Sequence, residues 1–199
     1  YNIAIGHAAL DAANTGEHFN IAIGTNALGA ETSGSDGGVA IGHDALLTQN
    51  RDSSRNTAVG FEAGKLIPAS TGGRYSVIMG YQAVGVGAMT GDYNVAIGRS
   101  ASLNATSASS SVYVGALAGG LGVTTGDDNV AVGRSAGLEI TSGHSSVFSG
   151  RSAGQEILTG AHSAFVGYNA GKFATINDHC VAIGSSALTG VAGTAVLSC

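Results

Sequence analysis

The stretch Asn94–Ala101, which reads Asn-Val-Ala-Ile-Gly-Arg-Ser-Ala, decides the fold because the same phrase recurs along the whole chain. In each copy a short, mostly β-branched run ends in glycine, and alanine always stands three residues after that glycine. Eleven glycines, the repeat glycines, mark the copies: Gly6, Gly24, Gly42, Gly60, Gly80, Gly98, Gly115, Gly133, Gly150, Gly167 and Gly184. They are 17 or 18 residues apart, with one interval of 20, so the chain is a tandem repeat.

This period predicts a solenoid. It is too short for repeats built from pairs of helices and suits one coil of two short strands and two turns. The glycine fits a corner with positive φ or close backbone approach, and the constant alanine fits a place where stacking leaves no room for a larger side chain. We expect an all-β, parallel β-solenoid of about eleven coils. At about 4.8 Å per coil the rod would be roughly 50 Å long.

The composition excludes several classes of protein. The 199 residues include 33 glycines and no tryptophan, and only 11% are charged, yet 44% are hydrophobic, so apolar surface is available to bury. The net charge is −5 and the basic residues are scattered, which argues against a nucleic-acid partner. No apolar run is long enough for a transmembrane helix, so this segment should not insert into a membrane. We interpret residues 1–199 as a single repeat segment of a longer fibre protein.

Strand alternation predicts self-association. The residues one and three before each repeat glycine, such as Val95 and Ile97, are expected to fill the inside of the coil. The residue two before the glycine should then face outward, and none of these is charged. They are Ala4, Ala22, Ala40, Ala58, Ile78, Ala96, Tyr113, Ala131, Phe148, Phe165 and Ala182. Such a stripe is too large to leave in water, so we expect three copies around a long axis, the alternative being a monomer that tolerates exposed alanines.

The phrase in Asn94–Ala101 and Asn129–Ala136 resembles the head repeats of trimeric autotransporter adhesins of the YadA type. The form Thr124–Gly133 is also similar to repeats in phage tail fibres and related virion fibres. The resemblance covers essentially the whole chain and implies a trimeric, left-handed parallel β-roll used for attachment. The adhesin repeats are shorter, which favours the fibre-like relatives.

Two segments look like a serine-hydrolase nucleophile elbow, centred on Ser135 and Ser152. That elbow needs one serine between a strand and a helix, whereas this pattern falls on the repeat's own glycine and alanine. His144, His162 and His179 lie at nearly equivalent turn positions and could form a stacked column that a metal could bind; the alternative is exposed turn histidines without a ligand. We therefore assign no catalytic, cofactor-binding or metal-binding residue.

The residue just after each repeat glycine is the most varied and includes Phe61, Tyr81, Arg134 and Arg151. Aromatic and arginine side chains there could contact a glycan or an anionic receptor. The alternatives are a solvated edge or arginines that reach across to a neighbouring subunit. The copy from Phe61 to Gly80 carries two extra residues, which predicts a bulging turn near Ile67–Gly73. Cys180 and Cys199 occupy different repeat positions and are not expected to pair.

The leading hypothesis is a structural and adhesive fibre module, the trimeric shaft or head of a virion tail fibre that mediates host attachment. The alternatives are the head of a bacterial trimeric surface adhesin and a passive extracellular filament or spacer without a ligand. An enzyme on a solenoid should show acidic clusters along one wall, and this sequence shows none. We therefore expect no enzyme and no cofactor. The expected partners are further copies of the chain and a host-surface glycan or receptor. The expected location is the virion surface or the outside of the cell.

Overall fold

The computed structural model describes residues 1–12, 18–30, 36–49, 55–68, 72–174, 178–189 and 197–198. They form one twelve-stranded parallel sheet in which the strand order follows the chain order. The strands are β1 (Ile3–Ile5), β2 (Ile21–Ile23), β3 (Val39–Ile41), β4 (Thr57–Val59), β5 (Val77–Met79), β6 (Val95–Ile97), β7 (Val112–Val114), β8 (Val130–Val132), β9 (Val147–Ser149), β10 (Ala164–Val166), β11 (Val181–Ile183) and β12 (Leu197–Ser198). The described residues contain no helix, and hence none that could span a membrane.

Each strand pairs with the same residues of the next copy. Val95 lies beside Val112 and Ile97 beside Val114, and this register holds along the sheet. The backbone N–H of Gly98 donates to the carbonyl of Met79 in the preceding coil at 2.7 Å. Equivalent residues therefore stack in columns along the rod. The predicted parallel β-solenoid is confirmed.

The expectation of two strands per coil is wrong for the described residues, which contain one strand in each coil. The second wall begins with left-handed residues two and four positions after the repeat glycine, such as Asp44 (φ 55°) and Leu46 (φ 51°). These corners bend the chain away from extended geometry. Hydrogen bonds between coils continue there nonetheless, as from the N–H of Leu28 to the carbonyl of Ala45 at 3.1 Å.

The repeat glycines and constant alanines have the roles that the sequence predicts. The repeat glycines have φ between 125° and 139°, a region that strongly favours glycine. A Cβ on Gly98 would also lie 2.6 Å from the carbonyl oxygen of Gly115 in the next coil. From Ala27 to Ala170, the alanines three residues after the glycines have no exposed surface. Stacking therefore fixes both residue types.

The assignment of strand faces needs correction. The residues two before the repeat glycines, which we call the inner column, point into the coil. From Ala22 to Ala182 each is at most 1% exposed. The residues one and three before the glycines face outward instead; Ile97 is 36% exposed and Val132 42%. Alternation along the strand is correct, but it separates two faces without specifying which one the coil encloses. The enclosed face carries both small and large side chains, such as Ala22 and Phe148.

A polar column runs beside this core, at the position four before each repeat glycine. It comprises Asn2, Asn20, Gly38, Asn56, Ser76, Asn94, Ser111, Asn129, Ser146, Ser163 and Cys180. The Asn129 amide donates to the carbonyls of Gly126 (3.1 Å) and Gly143 (2.7 Å), and its oxygen accepts from the N–H of Ser146 (3.2 Å). From Asn56 to Ser163 each of these side chains accepts a hydrogen bond from a backbone N–H of the next coil, so the column fixes the register between coils.

Candidate self-association surface

The outward face of the sheet carries two apolar columns along the rod. We call them the outer columns. Three before each repeat glycine stand Ile3, Ile21, Val39, Thr57, Val77, Val95, Val112, Val130, Val147, Ala164 and Val181. One before it stand Ile5, Ile23, Ile41, Val59, Met79, Ile97, Val114, Val132, Ser149, Val166 and Ile183. All are half-buried or exposed, so a continuous apolar face meets solvent in the isolated chain.

Two further columns border this face. The leading rim lies five before the repeat glycine, where the strand is about to begin. It comprises Tyr1, Phe19, Gly37, Arg55, Tyr75, Tyr93, Ser110, Asp128, Ser145, His162 and His179, all exposed. The trailing rim lies one after the glycine. It comprises His7, Thr25, His43, Phe61, Tyr81, Arg99, Ala116, Arg134, Arg151, Tyr168 and Ser185. All of these are exposed except Thr25 and Ala116, which are half-buried.

Aromatic rings stack along both rims in the coils around β3–β6. On the trailing rim, the Phe61 ring lies between His43 and Tyr81, with centroids 5.0 and 5.5 Å away. On the leading rim, Tyr75 and Tyr93 stack at 5.2 Å. Such contacts stabilise neighbouring coils, yet the rings stay largely exposed: Phe61 is 43%, Tyr81 50% and Tyr93 59% exposed. Large exposed aromatic residues are enriched where proteins associate.

Two arginines accompany the leading-rim tyrosines. The Arg55 guanidinium lies 5.7 Å from the centre of the Tyr75 ring and donates to its hydroxyl at 3.1 Å. Arg74, one residue before the rim, lies 5.8 Å from the same ring and forms an ion pair with Asp92 at 2.7 Å. This part of the surface is therefore both aromatic and cationic, a combination suited to contact with another protein surface.

The three histidines do form the predicted column. The His162 ring lies 5.1 Å from His144, edge to face, and 5.0 Å from His179, stacked. Within the described ranges no group of three or more His, Cys, Asp or Glu residues could hold a metal ion. Asp127 and Asp128, beside His144, line a shallow open cleft of about 400 Å³.

The elbow-like serines lie at the corners of the coil. Ser135 and Ser152 have φ of 58° and 57° and occupy the same column as Asn169. A nucleophile elbow needs a helix after the serine. No helix occurs in the described part of the chain, and the elbow geometry is not formed.

In the earlier coils the same corner column carries two carboxylates, Asp44 and Glu62, which Lys65 joins into a charged cluster. Lys65 Nζ lies 2.9 Å from an Asp44 oxygen and 2.8 Å from a Glu62 oxygen. Burial opposes ionisation of Asp44, but hydrogen bonds from Asn26 and Lys65 outweigh it and lower the pKa of the carboxyl group. The pKa of Glu62 is lowered by hydrogen bonds from Gln82 and then from Lys65. The cluster links successive coils and leaves the outward face apolar.

Sequence analysis did not anticipate a buried phenol inside the coil. Burial raises the pKa of Tyr113 to about 12. The Ser111 and Asn129 side chains lie near the hydroxyl and partly offset that rise. The hydroxyl makes no hydrogen bond within the described part of the chain. Sequence alternation predicts Tyr113 on the outward face, so it does not indicate a buried hydroxyl.

Two expectations fall partly or wholly outside the described residues. The predicted bulge at Ile67–Gly73 includes residues 69–71, which the structure does not describe. On either side, Ile67 is buried in the core and the N–H of Gly73 donates to Thr90 in the next coil at 2.8 Å. Cys199 also lies outside the described part, whereas Cys180 is buried in the polar column.

The fold and this surface define a class: the protein is a tandem-repeat parallel β-solenoid with a long apolar outward face. Comparisons with protein-family models, with curated proteins and with solved structures find no match to this chain.

Proposed function

We propose that this chain is a structural and adhesive fibre module, a trimeric shaft or head segment of a virion tail fibre that contributes to host attachment. The observation that carries the proposal is the outward face of the sheet. It is apolar in nearly every coil and lies open along the rod in the isolated chain. Apolar patches of this extent mark association surfaces in soluble proteins.

The dimensions of the face are adequate for a stable interface. Eleven coils spaced by about 4.8 Å give a length of roughly 50 Å. The two rims are six residues apart along the chain, so the face is at most about 20 Å wide. Each copy could therefore bury on the order of 800–1,000 Å², which is the size of a standard stable interface per partner.

Self-association explains the charge distribution along the strands. Neither outer column contains a charged residue, although an exposed sheet face of a monomer usually carries charged residues. Charges appear instead at the corners, as in the Asp44, Glu62 and Lys65 cluster. Three copies about a common axis parallel to the rod would cover all outer columns at once. The number three and the left-handed sense of the coil rest on the resemblance to trimeric fibres and stay predictions.

The mass of the folded chain in solution tests the proposal first. Native mass spectrometry or light scattering should give three times 19.4 kDa. A monomer at micromolar concentration would contradict it. A matched pair of triple variants then locates the interface. Val95, Val130 and Val132 changed to Thr should dissociate the assembly, because threonine keeps β-branching but adds a polar hydroxyl.

The control changes Val86, Leu121 and Val123 to Thr. These residues are 54%, 50% and 56% exposed but lie on the other walls of the coil. This variant should keep the mass of the wild type. Equal dissociation of both triple variants would contradict the outward sheet face as the seam.

Host attachment needs a separate measurement. The trimeric segment, labelled and applied to a glycan array and to candidate host cells, should bind a defined subset of surfaces. A trimer that binds none of them would favour the passive spacer, and binding only in a bacterial surface context would favour the adhesin head.

A further inference from the structure

We propose that the two rims of the outward face pair with each other between copies of this chain, level by level. The ion pair Arg134–Asp128 at β8 and the aromatic contacts at β4 to β6 are then completed only by a neighbouring copy in the same orientation. This inference rests on the trimeric assembly proposed above. It adds which residues meet and how the copies are oriented.

The two rims of one coil cannot meet within one chain. Arg134 and Asp128 lie on opposite sides of β8, separated by six residues. At about 3.3 Å per extended residue, that separation is close to 20 Å. In the described part of the chain, neither side chain takes part in an ion pair, and both are exposed.

Cyclic symmetry brings the two rims together. When copies surround an axis parallel to the rod, the trailing rim of one copy meets the leading rim of the next, and each coil faces the equivalent coil. Such an interface is head to tail around the ring, so complementarity must lie between two different patches of one chain. The two rims are such a pair of patches, because they lie on opposite sides of the same face. In every coil the leading-rim and trailing-rim residues flank the same strand.

The rims match in chemistry where they meet. At the level of β8, a cation on the trailing rim, Arg134, faces a carboxylate on the leading rim, Asp128. At the levels of β4 and β6, an aromatic ring faces an arginine: Phe61 with Arg55, and Tyr93 with Arg99.

The rims also match in size. At the level of β5 two tyrosines face each other, Tyr81 and Tyr75, and at the level of β7 both residues are small, Ala116 and Ser110. Across the rim residues that the structure describes, no level places two cations or two carboxylates opposite each other. Antiparallel copies would lose this correspondence, because early coils would then face late coils.

Charge exchange at β8 tests the pairing. Arg134→Glu places two carboxylates at each contact, and Asp128→Arg places two guanidinium groups there. Each single variant should raise the concentration for half-assembly at least about tenfold, since like charges across an interface are costly. The double variant, with both changes in one chain, should return to within about threefold of the wild type. Arginine is compatible with the left-handed backbone at this rim, since Arg55 has φ 45° there.

Lys172→Glu is the matched control. It changes the charge by the same amount as Arg134→Glu but lies away from both rims, in the turn that follows β10. It should leave assembly unchanged. Circular dichroism of each variant separates lost assembly from lost folding.

Mixing the two single variants reports the number of chains in the ring. In a mixed ring, the glutamate introduced by Arg134→Glu meets the arginine introduced by Asp128→Arg, and the unchanged Arg134 meets the unchanged Asp128. A ring of two satisfies both contacts, whereas a ring of three keeps one repulsive contact. We expect incomplete recovery, and full recovery at the mass of two chains would overturn the three-membered ring.

The outcomes separate the two proposals. A wild-type chain that is monomeric would overturn the proposed assembly itself. A wild-type trimer whose single charge variants assemble normally, or whose double variant is not restored, would overturn the rim pairing and leave the trimer standing.

Discussion

The coils before β7 and the coils from β7 onward fill the same interior in two different ways. In the early coils the inner column is mostly alanine, and in the coils of β1 to β3 leucine fills the space from the corner four residues after the repeat glycine, as with Ala40 and Leu46. In the coils of β7, β9 and β10 the inner column supplies the large side chain and glycine stands at the corner, as with Phe148 and Gly154. The two core clusters meet at the coil of β6, whose buried interior is small and includes Ala96 and Ala105.

This difference shows that interior volume is shared between two positions of one backbone. The corner backbone is nearly the same in both regions, with φ 51° at Leu46 and 56° at Gly154. A Cβ on Gly154 would lie 2.1 Å from the Phe148 ring, so glycine is required where the inner residue is aromatic. The same relation links Gly119 to Tyr113. Close packing therefore couples residues six positions apart.

Where the inner residue and the corner residue are both small, side chains of a neighbouring coil fill the space. Gly137 follows Ala131, and a Cβ on Gly137 would contact the Phe148 ring of the next coil at 3.2 Å. Gly64 is surrounded in the same way by Leu46, Ile67 and Ile78. Packing is consequently shared along the rod as well as within a coil.

The largest expected effect breaks the aromatic core. Phe148→Ala should lower the free energy of unfolding by about 3–5 kcal/mol, because it removes a fully buried ring. Adding Gly154→Leu recreates the early-coil combination and should recover part of that loss. Recovery stays incomplete because Phe148 also covers Gly137. Urea denaturation at one protein concentration measures both values, and the absence of any rescue by Gly154→Leu would contradict volume sharing.

The next effect concerns the polar column, which is interrupted at Gly38 in the early coils and runs unbroken from Asn56 to Ser163 through the late ones. Asn129→Ala removes two amide bonds to carbonyls and leaves the N–H of Ser146 without its acceptor. We expect a loss of about 2–3 kcal/mol. Asn104→Ala is the control, since that amide donates to Leu121 at an exposed site; an equal loss there would contradict a register-fixing role.

A smaller effect is expected at the charged corner, which the structure describes in the early coils. Lys65→Met should cost about 0.5–1 kcal/mol at neutral pH, because the cluster is partly exposed. The folded-state pKa values of Asp44 and Glu62 lie below their ordinary values of 3.8 and 4.5. Their contribution is therefore present above about pH 4.5 and is lost as the pH falls below it.

Thermal melts between pH 3 and 7 check this prediction. The Lys65→Met variant should show a shallower loss of stability on acidification than the wild type. Lys172→Met serves as the control and should leave the acid limb of the profile unchanged. A profile of Lys65→Met identical to the wild type would show that the cluster does not set the acid sensitivity.

The smallest effect lies at Tyr113, at the start of the aromatic region. Tyr113→Phe removes a buried hydroxyl without a hydrogen-bond partner and should stabilise the chain by up to about 1 kcal/mol. The folded-state pKa of about 12 lies above the ordinary value of 10.0, so the wild type should lose stability as the pH rises through that interval. The Tyr113→Phe variant should lose less of its stability in that interval. Tyr81→Phe, on the exposed trailing rim, is the control; destabilisation by Tyr113→Phe would contradict an unpartnered hydroxyl.

Much of the fold could be predicted from particular residues. The spacing of the repeat glycines predicted coils, and the constant alanine, buried from Ala27 to Ala170, marked the tightest stacking site. The sequence also shows that the corner residue changes from leucine, as at Leu46, to glycine, as at Gly154. Glycine follows each aromatic inner residue by six positions. This pattern can be explained only once the inner residues are known to point into the coil, and the alternation alone does not show which face is inside.

The prediction of an apolar outward surface is correct, but the columns predicted to form it are wrong. An apolar outward stripe was expected, and it exists, but it consists of residues such as Val95 and Ile97 and not of Ala96. The sequence indicates the trailing rim through the variability of the residue after each repeat glycine, but it gives no comparable signal for the leading rim. Nothing in the spacing alone indicates that residues five before and one after a glycine border one face.

The sequence by itself determined the repeat, the parallel in-register sheet and the places that only glycine or alanine can occupy, because these depend on local backbone geometry and on identical neighbours above and below. Only the tertiary structure decided which strand face is inside, since that choice depends on how much volume the closed coil can hold. It also decided that the described part of each coil contains one strand and single left-handed corner residues, such as Asp44 and Leu46, because stacking of whole coils overrides the local preference of single residues.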